Sequence, residues 1–231
     1  MGTKEQLIEE EWNTYWANKN KPVNFFYDKI SWFYRKFIIR KILNHFIKKH
    51  FAHHWHVLHA GCGSGQVDVD LVNYLNITAL DISPNALTIY KRIHGDKVRI
   101  MQGDIFHLPF EKEQFDGVYN LGVMEHFTEE EIHRILLELR RVLKSDGKLL
   151  ILWPPTFGLT VFVLDSIHFV LNKILRQNIK LHPAEISRLK SKSDAIKTFQ
   201  NAGFEVIEYY FGVKDLFTQA VIVCKKTGAQ E

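Results

Sequence analysis

The sequence holds only two cysteines, Cys62 and Cys224, far apart and in no CxxC pair. That leaves no disulfide framework and predicts reduced thiols in a cytoplasmic protein. No apolar run is clean enough to span a membrane: the longest, Phe157 to Leu175, is broken by Asp165, His168, Asn172 and Lys173. The first residues, MGTKEQLIEEEW, are acidic and polar, which predicts no signal peptide. Internal repeats and low-complexity linkers are absent. Acids are missing from Lys29 to Val67, although the stretch carries Lys29, Arg35, Lys36, Arg40, Lys41, Lys48 and Lys49 and six of the twelve histidines. Such a stretch fits an anionic partner or the solvated face of an ordinary helix.

What is present suits one core. The chain has 231 residues, 46% apolar and 24% charged, with a formal charge of +4. We expect one domain over 1–231, with an N-terminal helical segment 1–51 and an insertion 154–190. From Val57 onward, short apolar runs alternate with helical patterns. The runs are HVLHA (56–60), ITALD (77–81), VRIM (98–101), FDGVYN (115–120) and KLLILW (148–153). They lack polar alternation, as strands buried on both faces do. Ser83 before Pro84 predicts a helix start, and Gly95 its end. Thr128 with Glu131 reads as a capping box, as does Ser191 with Asp194. Ile132, Ile135, Leu136, Leu139 and Leu143 follow helical spacing. In the aromatic N-terminal segment, Phe37, Ile38, Leu43, Phe46 and Ile47 fit one apolar face. Strand and helix in alternation imply a mostly parallel sheet with helices on both sides. FEVIEYYF (204–211) and FTQAVIVCKK (217–226), joined by a short turn, predict a final antiparallel pair.

The segment VLHAGCGSGQ packs three glycines into five positions after the first run. Ligands of open parallel sheets bind beyond the carboxyl ends of the strands. Gly61, Gly63 and Gly65 let the backbone turn sharply and approach a ligand, ahead of a helix expected near Gln66. Gln66 stands where the dinucleotide fingerprint GxGxxG needs its last glycine, so the pattern is GxGxG. Asp81 ends the second run about twenty residues after Gly61, where a carboxylate can hold a ribose diol. NAD, FAD and S-adenosylmethionine suit that feature equally. Asp104, ending the third run beside Ile105, is placed to receive an adenine amino group. Both acids also fit a simple capping role.

LHAGCGSG, LDISPNAL, GDIFHLPF, FDGVYNLGVMEHF and LKSDGKLLI come in the order and spacing of the class I S-adenosylmethionine-dependent methyltransferases. The chain resembles the small-molecule group of that family. The resemblance covers about 55–153 strongly and 191–226 more weakly. It implies a Rossmann-like α/β fold with a seven-stranded sheet, strand order 3-2-1-4-5-7-6, the seventh strand antiparallel. It implies S-adenosyl-L-methionine as cofactor and S-adenosyl-L-homocysteine as product. Gly61, Cys62 and Gly63 would pass under the methionine and ribose. Asp81 would hold the ribose hydroxyls, with Ile82 against the adenine. Asp104 and Ile105 would meet the adenine edge and face, and Asn120 would lie near cofactor and substrate. His59 departs from the family, which usually has Glu or Asp there for the methionine amino group. A neutral imidazole accepts one hydrogen bond but brings no fixed charge, which predicts weaker or more pH-dependent cofactor binding.

In-line attack on an activated methyl needs mainly positioning and a place for the proton. His126, after Glu125, is the candidate base, because imidazole titrates near neutrality; fastening the loop is its alternative role. His53, His54 and His56 in HHWH have no cysteine cluster or acid nearby, so no metal site is expected. The insertion is apolar first (Phe157, Leu159, Val161, Phe162) and basic later (Lys173, Arg176, Lys180, Arg188, Lys190). Over an aromatic N-terminal segment it would roof an apolar pocket for a small organic acceptor. A basic amphipathic stretch also suits transient membrane-surface contact. The residues Asn120–Leu121–Gly122–Val123 lack the [DN]PP[YF] motif, which argues against nucleic acid. An RNA methyltransferase and an inactive cofactor-binding protein stay open as alternatives.

Overall fold

The computed structural model describes residues 4–18, 29, 32–159 and 185–228. At its centre is a seven-stranded sheet in the order β3-β2-β1-β4-β5-β7-β6. The strands are β1 (His56–Ala60), β2 (Asn76–Asp81), β3 (Arg99–Gln102), β4 (Phe115–Leu121), β5 (Leu143–Trp153), β6 (Phe204–Tyr210) and β7 (Ala220–Lys226). Strands β3, β2, β1, β4 and β5 pair in parallel, and β7 runs antiparallel to both β5 and β6. This is the expected order.

Alternate residues of each strand enter two cores. Leu58, Val118, Ile151 and Ile222 pack with α4 (Glu129–Val142) and α5 (Lys192–Asn201). Val57, Tyr119, Leu150 and Val221 pack with α2 (Arg40–His50) and α3 (Pro84–His94). Burial on both faces explains why these strands read as unbroken apolar runs. The remaining described helix, α1 (Lys4–Asn18), crosses the carboxyl end of the sheet: Gln102 Nε2 donates to Glu9 Oε1 at 3.1 Å.

The punctuation holds at α3 and α4. Ser83 Oγ accepts from the Ala86 amide at 3.2 Å, and Thr128 and Glu131 close a full capping box. At α5 only half the box forms. Ser191 Oγ accepts from Asp194 N, but the Asp194 carboxylate turns to the Lys190 amide at 3.2 Å. Two other expectations are corrected. A π-helical turn over Arg35–Ile39 precedes α2, with Arg40 N–H bonded to Arg35 O. The buried stripe keeps ordinary helical spacing over Ile39, Ile42, Leu43, Phe46 and Ile47, which leaves Phe37 off that face and exposed. After the glycine loop there is no helix at Gln66. Successive turns run from Cys62 to Leu75, closed by Asp68 N to Gly65 O and Leu71 N to Asp68 O. The segment VDVDLVN alternates β-branched residues with aspartates, both poor in helix interiors.

The acid-free stretch finds its acids elsewhere in the fold. Arg40 is forked onto Asp70, and Lys49 meets Glu208 at 2.6 Å. Phe25, Phe26 and Tyr27 and the insertion residues Val161, Phe162, Lys173, Arg176 and Lys180 lie outside the described residues. Arg188 and Lys190 pair with Glu185 and Glu129.

Candidate active site

Beyond the carboxyl ends of β1, β2, β3, β4 and β5 lies a cleft of about 490 Å³. Of the sequence-derived site residues, His59, Gly61, Cys62, Gly63, Asp81, Ile82, Asp104, Ile105 and His126 line it. Asn120 does not. It is fully buried, and its Nδ2 donates to Ala60 O at 2.6 Å, pinning the strand end before the glycine loop. α1 supplies Trp12, Tyr15 and Trp16 to the opposite wall.

The loop geometry follows from its glycines. Gly65 has φ +67°, and a Cβ there would come within 2.4 Å of the Tyr90 ring. A Cβ on Gly63 would come within 2.8 Å of Trp16, so α1 seats directly on the loop. The tip of β2 closes the turn. Asp81 Oδ2 accepts from Gly63 N at 2.7 Å, and Oδ1 from Ser83 N at 2.9 Å. Burial pushes the Asp81 carboxyl up, and the two amides pull it back. Burial likewise raises the Cys62 thiol well above its ordinary value, so it stays protonated. At the tip of β3, Asp104 Oδ1 accepts from Phe106 N at 2.9 Å.

His59 does not stand alone. Its Nδ1 lies 2.7 Å from Asp68 Oδ2, and its ring stacks on Tyr119 at 4.3 Å. The hydroxyl of Tyr90 donates to Asp68 Oδ2 at 2.7 Å, and that of Tyr119 to Asp68 Oδ1 at 2.9 Å. Asp68 is fully buried. Burial, and next the Asp68 charge, push both phenols up, so they stay donors. His59 Nε2 is buried and has no hydrogen-bond partner. The sequence offers only an uncharged imidazole at this position, and the fold sets a carboxylate against it, nine residues along the chain.

Sequence reasoning also missed Glu125. It lines the cleft and is 5% exposed, with Oε2 unpartnered. Burial raises its carboxyl to about 8, with Glu185 pushing the same way and Arg188 opposing. Its main-chain oxygen accepts from Ile186 N and Ser187 N, which fastens 185–189 beside the end of β5. His126, next in sequence, packs its ring edge-on to Trp12 at 4.9 Å. Among the described residues no cluster of three or more His, Cys, Asp or Glu could hold a metal ion, and no helix is long and apolar enough to cross a membrane.

A cationic adenosyl group fits these acceptors. Carboxylates at the tips of β2 and β3 and a free imidazole nitrogen offer acceptors, and the walls are largely aromatic and aliphatic.

Comparison with known proteins agrees. Residues 58–151 match a family model described as a methyltransferase domain. An uncharacterized protein of Methanocaldococcus jannaschii is 39% identical over 95 residues, covering 41% of this chain and 39% of its own. The chloroplastic 2-methyl-6-phytyl-1,4-hydroquinone methyltransferase of Spinacia oleracea is 33% identical, covering 66% of this chain and 40% of the relative. The chain thus spans about two fifths of the length of these curated relatives. The ubiquinone/menaquinone biosynthesis C-methyltransferase of Campylobacter jejuni is 24% identical, covering 86% of this chain and 89% of its own. Among solved structures, magnesium protoporphyrin IX methyltransferase from Synechocystis PCC 6803 with bound SAH superimposes with a TM-score of 0.68. It is 17% identical and covers 97% of this chain and 100% of that one.

Proposed function

We propose that the chain carries a class I S-adenosylmethionine-dependent methyltransferase domain and that it methylates a small, apolar organic acceptor. The observation that carries this reading is the pairing of an acid-tipped glycine loop with an aromatic wall across one cleft. When bound, S-adenosylmethionine supplies a methyl group activated by a sulfonium and leaves as S-adenosylhomocysteine. Asp81 would take the ribose hydroxyls with its remaining lone pairs, with Ile82 against the adenine. Asp104 and Ile105 would receive the adenine edge and face, and Gly61, Cys62 and Gly63 would run beneath the methionine and ribose. Asn120 acts through the loop it pins.

The acceptor side is the end of β4. Trp12, Val123, Glu125, His126, Phe127 and Leu159 line it. His126 is our proton acceptor. Glu125, protonated at neutral pH because its carboxyl titrates near 8, can donate a hydrogen bond to a polar atom of the acceptor. The relatives named for a phytyl hydroquinone and for quinone biosynthesis support a ring-bearing acceptor with an apolar tail. Exposed Trp32 and Phe33, with Lys36 Nζ 4.5 Å from the Trp32 ring, favour transient contact with an anionic membrane surface as the source of such an acceptor.

The test is calorimetric titration with S-adenosylhomocysteine, then transfer of labelled methyl to a panel of hydroquinones, phenols and RNA. Binding with transfer to an apolar ring compound is expected. No affinity at millimolar ligand would end the reading, and transfer to RNA alone would replace the acceptor. Failure to co-sediment with anionic vesicles would remove the membrane contact.

A further inference from the structure

Carboxylates are acceptors only. Asp68 therefore fixes the proton on His59 Nδ1, the nitrogen 2.7 Å from its Oδ2, and leaves Nε2 as the free end of the ring. Two further donors, the hydroxyls of Tyr90 and Tyr119, hold the carboxylate where it is. All four residues are buried, with His59 1% and Asp68 0% exposed, so the charge faces little water. Three elements contribute: β1 brings His59, β4 the Tyr119 ring stacked on it, and α3 the Tyr90 hydroxyl.

We propose that Asp68 is a positioning residue for the cofactor's amino group. It holds His59 in the tautomer whose bare Nε2 accepts a hydrogen bond from that ammonium, and it supplies the negative charge behind the imidazole. The carboxylate usually found at the end of β1 is thus set one side chain back rather than lost. This rests on the cofactor reading above and adds residues to it.

The inference makes His59→Glu harmful. A glutamate there would face the Asp68 carboxylate at close range in a dry site, where like charges repel. Adding Asp68→Asn should repair this, because the asparagine amide can donate to the new carboxylate and the charge count is restored.

The experiment compares wild type, Asp68→Asn, His59→Glu and the double variant by calorimetry with two probes. S-adenosylhomocysteine carries the ammonium, and methylthioadenosine lacks it. Asp68→Asn and His59→Glu should each weaken S-adenosylhomocysteine at least tenfold and methylthioadenosine less than twofold. The double variant should recover most of the loss. Equal losses for both probes, or none for Asp68→Asn, would overturn the proposal. In wild-type protein labelled at histidine nitrogens, long-range nitrogen–proton spectra assigned with His59→Gln should show Nδ1 protonated and Nε2 bare. The opposite tautomer overturns it even if the variants do not fold. Absence of S-adenosylhomocysteine binding by wild type, with methylthioadenosine also inert, would instead bring down the cofactor reading and this assignment with it.

Discussion

Asp81, the last residue of β2, accepts the Gly63 amide at 2.7 Å and so joins the strand tip to the turn after β1. The carboxylate shapes the loop and retains lone pairs for a ligand. Asp81→Asn keeps the size and one acceptor but loses the charge. Charge-assisted hydrogen bonds contribute about 1.5–3 kcal/mol each. We expect S-adenosylhomocysteine affinity to fall by about one to two orders of magnitude in calorimetry. The melting temperature should fall by a few degrees, since the asparagine oxygen receives only one of the two amides and its NH2 faces the other, a loss of about 1–3 kcal/mol. An affinity within a factor of two of wild type would remove Asp81 from the site.

Gly65 and Gly95 separate backbone strain from collision. Both have positive φ, at +67° and +60°. An alanine Cβ at Gly95 would meet nothing within 4 Å, whereas at Gly65 it would meet Tyr90 at 2.4 Å and His94 Nε2 at 2.9 Å. Gly95→Ala should cost only its strain, about 1–3 kcal/mol. Gly65→Ala adds overpacking of about 1–3 kcal/mol. It should also displace the Tyr90 hydroxyl from Asp68. Urea unfolding ranks the two, and equal costs would contradict the packing described for the loop.

Much of this site was legible because its signals are local. A glycine cluster, acids at strand ends and the caps at Ser83 and Thr128 each lie within a few residues of what they do. Asp68 was not legible. In QVDVDLV nothing marks one aspartate as buried and the other as paired with Arg40. That distinction comes from β1–β4 register, which sets Tyr119 beside His59, and from α3 bringing Tyr90 across. Glu125 was named only as the neighbour of His126. Its burial depends on residues 185–189, some sixty positions later, docking on its main-chain oxygen. The helix expected at Gln66 does not form because the valines and aspartates that follow the glycine loop are poor in helix interiors.

Asn13 holds α1 to the start of α3. Its Oδ1 accepts from Ser83 Oγ at 3.1 Å and from Asn85 N at 3.2 Å, and its main-chain oxygen from Asn85 Nδ2 at 3.1 Å. Asn13→Ala removes the two side-chain bonds, at about 1 kcal/mol each. In hydrogen exchange, amides of residues 6–17 should lose protection about tenfold, while those of β1 and β4 keep theirs. Because Trp16 seats on Gly63, S-adenosylhomocysteine should bind several-fold more weakly. Unchanged exchange in α1 would show that its aromatic contacts, the Glu9–Gln102 bond and the Asn13 main-chain bond suffice to anchor it.

Glu125 makes stability depend on pH in a stated direction. Burial raises its carboxyl from the ordinary 4.5 to about 8. Between those values the folded protein keeps a proton that the unfolded chain has released. Stability therefore falls as pH rises, by about 1.4 kcal/mol per unit for this group, and the loss levels off above about 8. Glu125→Gln mimics the protonated form and titrates nowhere. The variant should match wild type below about pH 4 and exceed it by a few kcal/mol at pH 8, as read from urea midpoints at each pH. Parallel profiles for the two proteins would mean that the carboxyl is hydrated rather than buried. Its assignment as a hydrogen-bond donor to the acceptor would then fall too, because an ordinary glutamate is ionised at neutral pH and has no proton to donate.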